Sequence, residues 1–400
     1  MRIAVLYQRL VGNGGVERYL SELLPRLIDG GHSVAFLYED EPEAPPVWLK
    51  GVERWQVSRS RLSDALHRLK DFQPNVIFSH GVTCPEIEAA VTGLGPSVFL
   101  AHGYYGACIS GTKRWAFPLR PCTSPFGLAC ILHFYPRRCG GLNPLTAAAL
   151  YKLQSKRLTL LRHYGAVAVF SEYMRRTYRE LGLADDKIHR LPSGISRWPV
   201  SHFTRQGPPW KLLFAGRMEE DKGGPILLRA LPSVVRQLGV PIELTLVGDG
   251  RARAKWEELA ESISQRLLSI RFTGWMEQPA LRSLMAESDL LVVPSVWPEP
   301  WGLIGPEAQV QGLPAAAFAV GGIPEWLEEG RTGALAPSPP TEEGLAAAIS
   351  RCLVSADIRS ELARGAKLKA EEYSWDVHLE ALLSVFRDVT VAWRDGSSVG

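Results

Sequence analysis

The chain has 400 residues, 46% hydrophobic and 22% charged, with a formal net charge of +3. That length exceeds one ordinary domain and suits two of about 180 to 200 residues each, and the composition is that of a soluble globular enzyme. No stretch approaches the roughly 20 apolar residues that span a bilayer. Six cysteines in a cytoplasmic chain of this size argue against a disulfide framework.

Strands and helices alternate along the chain, the signature of doubly wound parallel sheets. Residues 1–6 read as a first strand rather than a signal peptide, because Gly12 and Gly14 interrupt any apolar run, and the expected location is the cytoplasm. The Gly12-Asn-Gly-Gly15 loop opens a helix at 16–27, with Tyr19, Leu20, Leu23, Leu24 and Leu27 on one face. A strand at 33–37 follows, then a Pro-rich surface loop at 42–46. Strands at 75–79 and 97–101 each deliver a histidine at the end, His80 and His102. A long basic helix at 145–162, a strand at 166–170 and a helix at 172–181 complete the first half. Residues 196–209 hold three prolines and little periodicity, which marks them as the linker.

The second half restarts the pattern. Buried strands are expected at 211–215, 242–247, 270–273, 290–293 and 314–318. The loop Gly216-Arg-Met-Glu-Glu-Asp-Lys-Gly223 and a helix at 225–238 follow the first of them. Gly321-Gly-Ile-Pro-Glu325 starts another helix, and three helical stretches from 341 to about 392 close the chain. The expected division is a first domain at 1–195, the linker, a second domain at 210–375 and a final helix within 376–400.

The stretch richest in chemistry is Glu299-Pro-Trp-Gly-Leu-Ile-Gly-Pro-Glu307. It follows a buried strand and opens into a helix, at the carboxyl edge of a sheet, where open α/β sheets bind ligands. The amides of Gly302, Leu303 and Ile304 would cradle a phosphate. Glu307 would accept two hydrogen bonds from a diol such as a ribose, and Glu299 would hold the hydroxyls of a second sugar. Taken alone, a solvated Glu299 and a Glu307 that merely favours the helix N-terminus explain the pattern as well. Arg217 and Lys222 flank the loop after a strand, where Arg clasps a diphosphate bidentately and Lys adds a point charge.

Together, Gly12-x-Gly-Gly15, Gly216-Arg-x-x-x-x-Lys222-Gly, Val247-Gly-Asp-Gly250, Phe272-Thr-Gly274, Pro294-Ser295, the Glu-x7-Glu pair and Gly321-Gly-Ile-Pro-Glu325 resemble the retaining GT-B glycosyltransferases of family 4. The resemblance covers most of the chain and is densest in its second half. It implies two Rossmann-like α/β domains facing across a cleft, with the final helix crossing back to the first domain. It also implies transfer of a sugar from a nucleoside diphosphate donor with retention at the anomeric carbon. By position, Arg217 and Lys222 would hold the diphosphate, Glu299 the donor sugar and Glu307 the ribose. Gly302, Leu303 and Ile304 would give amides to the phosphates, with Gly216 and Gly248 lining the donor loops. Trp275 would lie at the base and His102 near the donor sugar, with His80 the weaker candidate. Gly14 and Gly15 would let the first loop approach the donor. A departing nucleoside diphosphate gains negative charge, so Arg217, Lys222 and helix amides would stabilise that charge with no cofactor required for catalysis.

The insert at 104–143 departs from this pattern. Cys108, Cys122, Cys130 and Cys139 lie there at spacings that lack a Cys-x2-Cys knuckle. They are candidates for a structural zinc or iron–sulfur site, for local disulfides, or for unrelated thiols. From Tyr104 to Arg179 there are twelve Lys and Arg residues against Glu172 alone, an imbalance that an anionic membrane surface, a lipid-diphosphate acceptor or nucleic acid would explain. The expected activity is transfer to a glycan or lipid-linked acceptor in cell-surface glycan or glycolipid synthesis, at the inner face of the cell membrane. A nucleotide-sugar epimerase and a nucleic-acid-binding module are the alternatives. The intact Arg217, Lys222, Glu299 and Glu307 set argues against the second.

Overall fold

The computed structural model describes residues 1–9, 14–40, 46–141, 143–197, 207–263 and 265–396. Gly12, residues 42–45 of the Pro-rich loop and most of the expected linker lie outside the described residues. The chain forms two compact units. The first holds Met1–Gly111, Ser124–Pro192 and Asp376–Gly400, and the second Thr112–Thr123 and Ser193–Trp375.

Among the described residues the first unit carries a seven-stranded sheet in the order Glu53–Gln56, Ser33–Asp40, Arg2–Arg9, Val76–Ser79, Ser97–Leu100, Ala166–Val169, Ile188–Arg190. Every pairing is parallel. Val76–Ser79, Ser97–Leu100 and Ala166–Val169 are buried at each position, as strands covered on both faces must be. The helix Gly15–Asp29 buries Tyr19, Leu20, Leu23, Leu24 and Leu27, the stripe its 3.6-residue period places on one side. The terminal helix Trp375–Arg394 is fitted to this sheet: Phe386 meets Phe78 edge-on at 5.1 Å. A Cβ at Gly165 would stand 2.4 Å from Val389, so a glycine there permits the approach.

The second unit carries a six-stranded sheet in the order Leu268–Gly274, Ile242–Val247, Trp210–Ala215, Leu290–Val293, Ala315–Phe318, Gly333–Ala336, again parallel at every pairing. Asp289, fully buried at the start of a central strand, accepts from the Lys211 amide at 2.9 Å and from Arg359 at 3.1 Å. That ion pair ties the sheet to the helix Ala356–Ala370.

Within the insert, Arg114–Ala116 and Leu119–Pro121 form an antiparallel hairpin and Ala129–Phe134 is a short helix. The insert does not belong wholly to the first unit, where the sequence division put it, since Thr112–Thr123 groups with the second. The hairpin buries Trp115 under the Arg120 guanidinium, 4.2 Å from the ring centroid, and Arg114 stands 4.0 Å from Glu220. No described helix is long and apolar enough to cross a membrane.

Candidate donor site in the second unit

Trp210–Ala215 runs into the loop 216–223, whose last turn is the 3-10 segment Glu220–Lys222. Leu290–Val293 runs into the loop 294–303. The two loops interlock because the Val296 amide donates to the Asp221 carbonyl at 2.9 Å. Gly223 has a φ of +70°, and a Cβ there would lie 1.8 Å from the Pro294 carbonyl oxygen, so both the left-handed conformation and the close approach require glycine.

This interlock carries Lys222 to Glu299. Lys222 Nζ lies 2.5 Å from Glu299 Oε1, and Ser295 Oγ donates to the same oxygen at 2.7 Å. Lys222 Nζ also stands 5.2 Å from the centre of the Trp297 ring, at cation–π distance. Glu299 is buried, and its carbonyl accepts from the Gly322 amide at 2.7 Å. A Cβ at Gly321, φ +62°, would stand 2.3 Å from that carbonyl oxygen. The carboxylate is therefore fixed from its backbone and from its side chain.

Past Glu299 the chain turns at Gly302 and enters the helix Ile304–Val310, in which Glu307 is buried. Trp326 braces this turn: its Nε1 donates to the Trp301 carbonyl at 2.8 Å, and a Cβ at Gly305 would meet its ring at 2.4 Å. Gln309 Nε2 donates to the Trp326 carbonyl at 2.7 Å, and Gln309 Oε1 accepts from the Tyr373 hydroxyl at 2.7 Å. The amides of Gly302, Leu303 and Ile304 thus precede a rigid helix start. Gly216 and Gly248 pack backbone to backbone, since a Cβ at Gly248 would lie 2.0 Å from the Gly216 carbonyl oxygen. Arg217 is exposed beside them, and Trp275, 48% exposed, follows Gly274. The second unit therefore brings Lys222 and Glu299 into contact on adjoining strand ends.

The other sequence candidates lie in the first unit. His102 Nε2 and His80 Nδ1 are 2.8 Å apart with the rings stacked. Tyr19 flanks both rings, and its hydroxyl meets His378 Nε2 at 2.8 Å, while His378 Nδ1 donates to the Pro192 carbonyl at the same distance. Burial pushes the His102 pKa down to about 3 and that of His378 to about 4, and holds His80 far below the ordinary histidine range, so the cluster is neutral at pH 7. The space beside Gly14 is taken by Glu17, whose Oε2 would lie 2.1 Å from a Cβ there; Gly15 has open space around it.

The structure does not gather the four insert cysteines. Among the described residues no group of three or more His, Cys, Asp or Glu is placed to hold a metal ion, and all six cysteines are thiols. Cys108 Sγ faces Ser110, Cys130 Sγ the Pro125 carbonyl and Cys139 Sγ the His133 carbonyl. Cys122 lies in the segment that groups with the second unit. Ile109, Phe134 and Ala147 form a small core, edged by Phe126, Leu150 and Tyr151, so apolar packing supports the insert where the sequence suggested a cross-linking ion. Ser295, Trp297, Trp326, Tyr19 and His378 are absent from the sequence-based site candidates, although Pro294-Ser295 is one of the motifs that carry the resemblance and the sequence reads Tyr19 only as part of an apolar helix face.

A family profile described as Glycosyltransferase Family 4 matches residues 13–197, and one described as Glycosyl transferases group 1 matches residues 209–355. An uncharacterized glycosyltransferase of Methanocaldococcus jannaschii is 25% identical over 264 residues, which are 62% of this chain and 66% of the relative. A D-inositol 3-phosphate glycosyltransferase of Saccharomonospora viridis is 31% identical over 190 residues, 46% of this chain and 44% of that one. The matched stretches thus span between about half and two thirds of these curated relatives. Anabaena HepE in complex with UDP and glucose superposes with a TM-score of 0.68 at 17% identity, over 99% of this chain and 100% of that one. Two parallel α/β sheets and these matches place the chain in the group 1 glycosyltransferases of family 4, with the GT-B fold.

Proposed function

We propose that the chain is a retaining glycosyltransferase that moves a hexose from a nucleoside diphosphate donor to a glycan or lipid-linked acceptor in cell-surface glycan or glycolipid synthesis. The observation that carries this reading is the Lys222–Glu299 contact at 2.5 Å, braced by Ser295, one turn from a rigid helix start that holds Glu307. Lys222 and Arg217 would meet the diphosphate, and the amides of Gly302, Leu303 and Ile304 would meet its remaining oxygens. Cations and amides fixed before reaction stabilise the charge of the leaving diphosphate more than that of the bound donor. Glu299, already oriented by Ser295, would accept from donor sugar hydroxyls, and Glu307 from the ribose. Trp275 offers an exposed ring for the base. In the first unit, the neutral His102 is the candidate substrate contact, its ring set by His80. HepE in complex with UDP and glucose makes UDP-hexoses the first donors to try.

A thermal-shift screen of UDP-, GDP- and ADP-sugars, followed by release of nucleoside diphosphate from the ligand that stabilises the protein most, tests the reading. One nucleotide sugar should stabilise and be slowly hydrolysed without acceptor. If none stabilises the chain more than the free sugar does, the donor assignment is wrong.

A further inference from the structure

We infer that the outer face of the helix Ala129–Phe134, with the first turns of the helix Pro144–His163, docks the protein on an anionic bilayer surface. Both elements lie in the first unit. Phe134 is turned inward on Ile109 and Ala147. Helical spacing then sets Leu128 and Leu132, four residues apart, on the outer side, with Ile131 at its edge beside Phe134. Leu128, Ile131 and Leu132 are 72%, 37% and 75% exposed, and Leu145, which opens the next helix, is 78% exposed. Leu145, Ala148, Ala149 and Lys152 are all exposed and follow one helical stripe. The short helix continues directly into Arg137 and Arg138, so apolar side chains end within a turn of two guanidinium groups.

The charge of this region selects the occupant. Between Glu88 and Glu172 the sequence has no Asp or Glu. Arg137, Arg138 and Lys152 belong to this face, whereas Lys113, Arg114 and Arg120 group with the second unit and Lys156 pairs with Glu86. A face with leucines at its centre and cations at its edge matches the boundary between acyl chains and anionic headgroups. Nucleic acid would satisfy the cations and leave the leucines in water. A second copy would oppose one basic face with another. No described helix is long and apolar enough to cross a membrane, and the inference concerns this surface alone. It stands independently of the transfer reaction proposed above.

Co-sedimentation of the full chain with vesicles tests it. The vesicles are phosphatidylcholine alone, or phosphatidylcholine with about one third phosphatidylglycerol. Wild-type protein should bind only the anionic vesicles, and added salt should weaken binding steeply as the charges are screened. The pair Leu128→Ser with Leu132→Ser, and separately Arg137→Ser with Arg138→Ser, should each lower the partition coefficient about tenfold or more. Leu368→Ser, an exposed leucine of the second unit, should leave it unchanged. The variants change surface positions, and unchanged melting temperatures would show that they fold. Equal binding to both vesicles, binding to neither, or full binding by the leucine pair overturns the inference. So does a dimer that the leucine pair abolishes, or tighter binding to a generic DNA duplex than to the anionic vesicles.

Discussion

Lys222 Nζ and Glu299 Oε1, 77 residues apart in sequence, lie 2.5 Å from each other. The contact joins the loops that follow two neighbouring strands, Trp210–Ala215 and Leu290–Val293. Its side chains are only 17% and 9% exposed, so the charges feel each other more than a surface pair would. The carboxylate holds the ammonium in one place, and Ser295 holds the carboxylate. A cation positioned in this way is suited to meet a diphosphate without reorganising when the reaction occurs.

The two groups should act as one device. Lys222→Ala should lower turnover by about two orders of magnitude, the scale for losing one preorganised charge. Glu299→Gln should cost a comparable factor, because it removes both the proposed sugar contact and the charge that restrains Lys222. The double variant should then be scarcely slower than the worse single one. Steady-state kinetics on the four proteins measures the coupling. Losses that multiply would show that the pair has no joint role.

The interlock of the loops 216–223 and 294–303 depends on Gly223. Gly223→Ala places a Cβ 1.8 Å from the Pro294 carbonyl oxygen as well as imposing a φ of +70°. Gly239 has a φ of +67° with nothing within 4 Å of its Cβ position, so Gly239→Ala isolates the conformational cost of roughly 1–2 kcal/mol. Urea unfolding should show Gly223→Ala losing at least about 2 kcal/mol more than Gly239→Ala, a loss on the scale of a severe packing clash. Equal losses would mean that the loops do not meet as described.

The buried histidines give stability a defined pH dependence. His102 titrates near 3 and His378 near 4 in the folded chain, against about 6.5 when unfolded. The unfolded chain therefore takes up protons first. Their contribution is level above about pH 6.5 and falls as pH drops from there toward the folded values. Each should cost up to about 2 kcal/mol by pH 5. Glu88, whose carboxyl burial raises above the ordinary range, works in the opposite direction, gaining stability as pH falls through its folded value. Denaturant melts at pH 7 and pH 5 should show His102→Asn losing less stability than wild type across that interval. An identical loss would place His102 in solvent.

Much of the fold is legible in the strand ends. The apolar run at 290–293 coincides with a strand buried at every position, because burial on both faces leaves an uninterrupted apolar signature. The strand at 242–247 carries Glu243 and Thr245 on its half-buried side and is legible by alternation. Weaker signatures hid other elements. Glu53–Gln56 at a sheet edge buries one residue of four, Gly333–Ala336 offers only small side chains and Leu, and the sequence reading named neither. The Lys222 and Glu299 loops announce themselves by glycines placed after apolar runs, but their contact is tertiary. Trp326, which braces the Trp301 turn from 25 residues away, has no local pattern at all. The insert misled for a similar reason. Phe134 finds its apolar partners at Ile109 and Ala147, outside the window in which periodicity is read, so the four cysteines looked like the support.

The most direct test of the donor-site assignment is calorimetric titration of the free nucleoside diphosphates UDP, GDP and ADP into the wild type, Glu307→Gln and Lys222→Ala. One diphosphate should bind the wild type with a definite stoichiometry of one. Glu307→Gln should weaken it about tenfold or more, the scale of hydrogen bonds to a charged group, and Lys222→Ala should weaken it as well. Binding of that nucleotide at wild-type affinity by both variants would contradict the account.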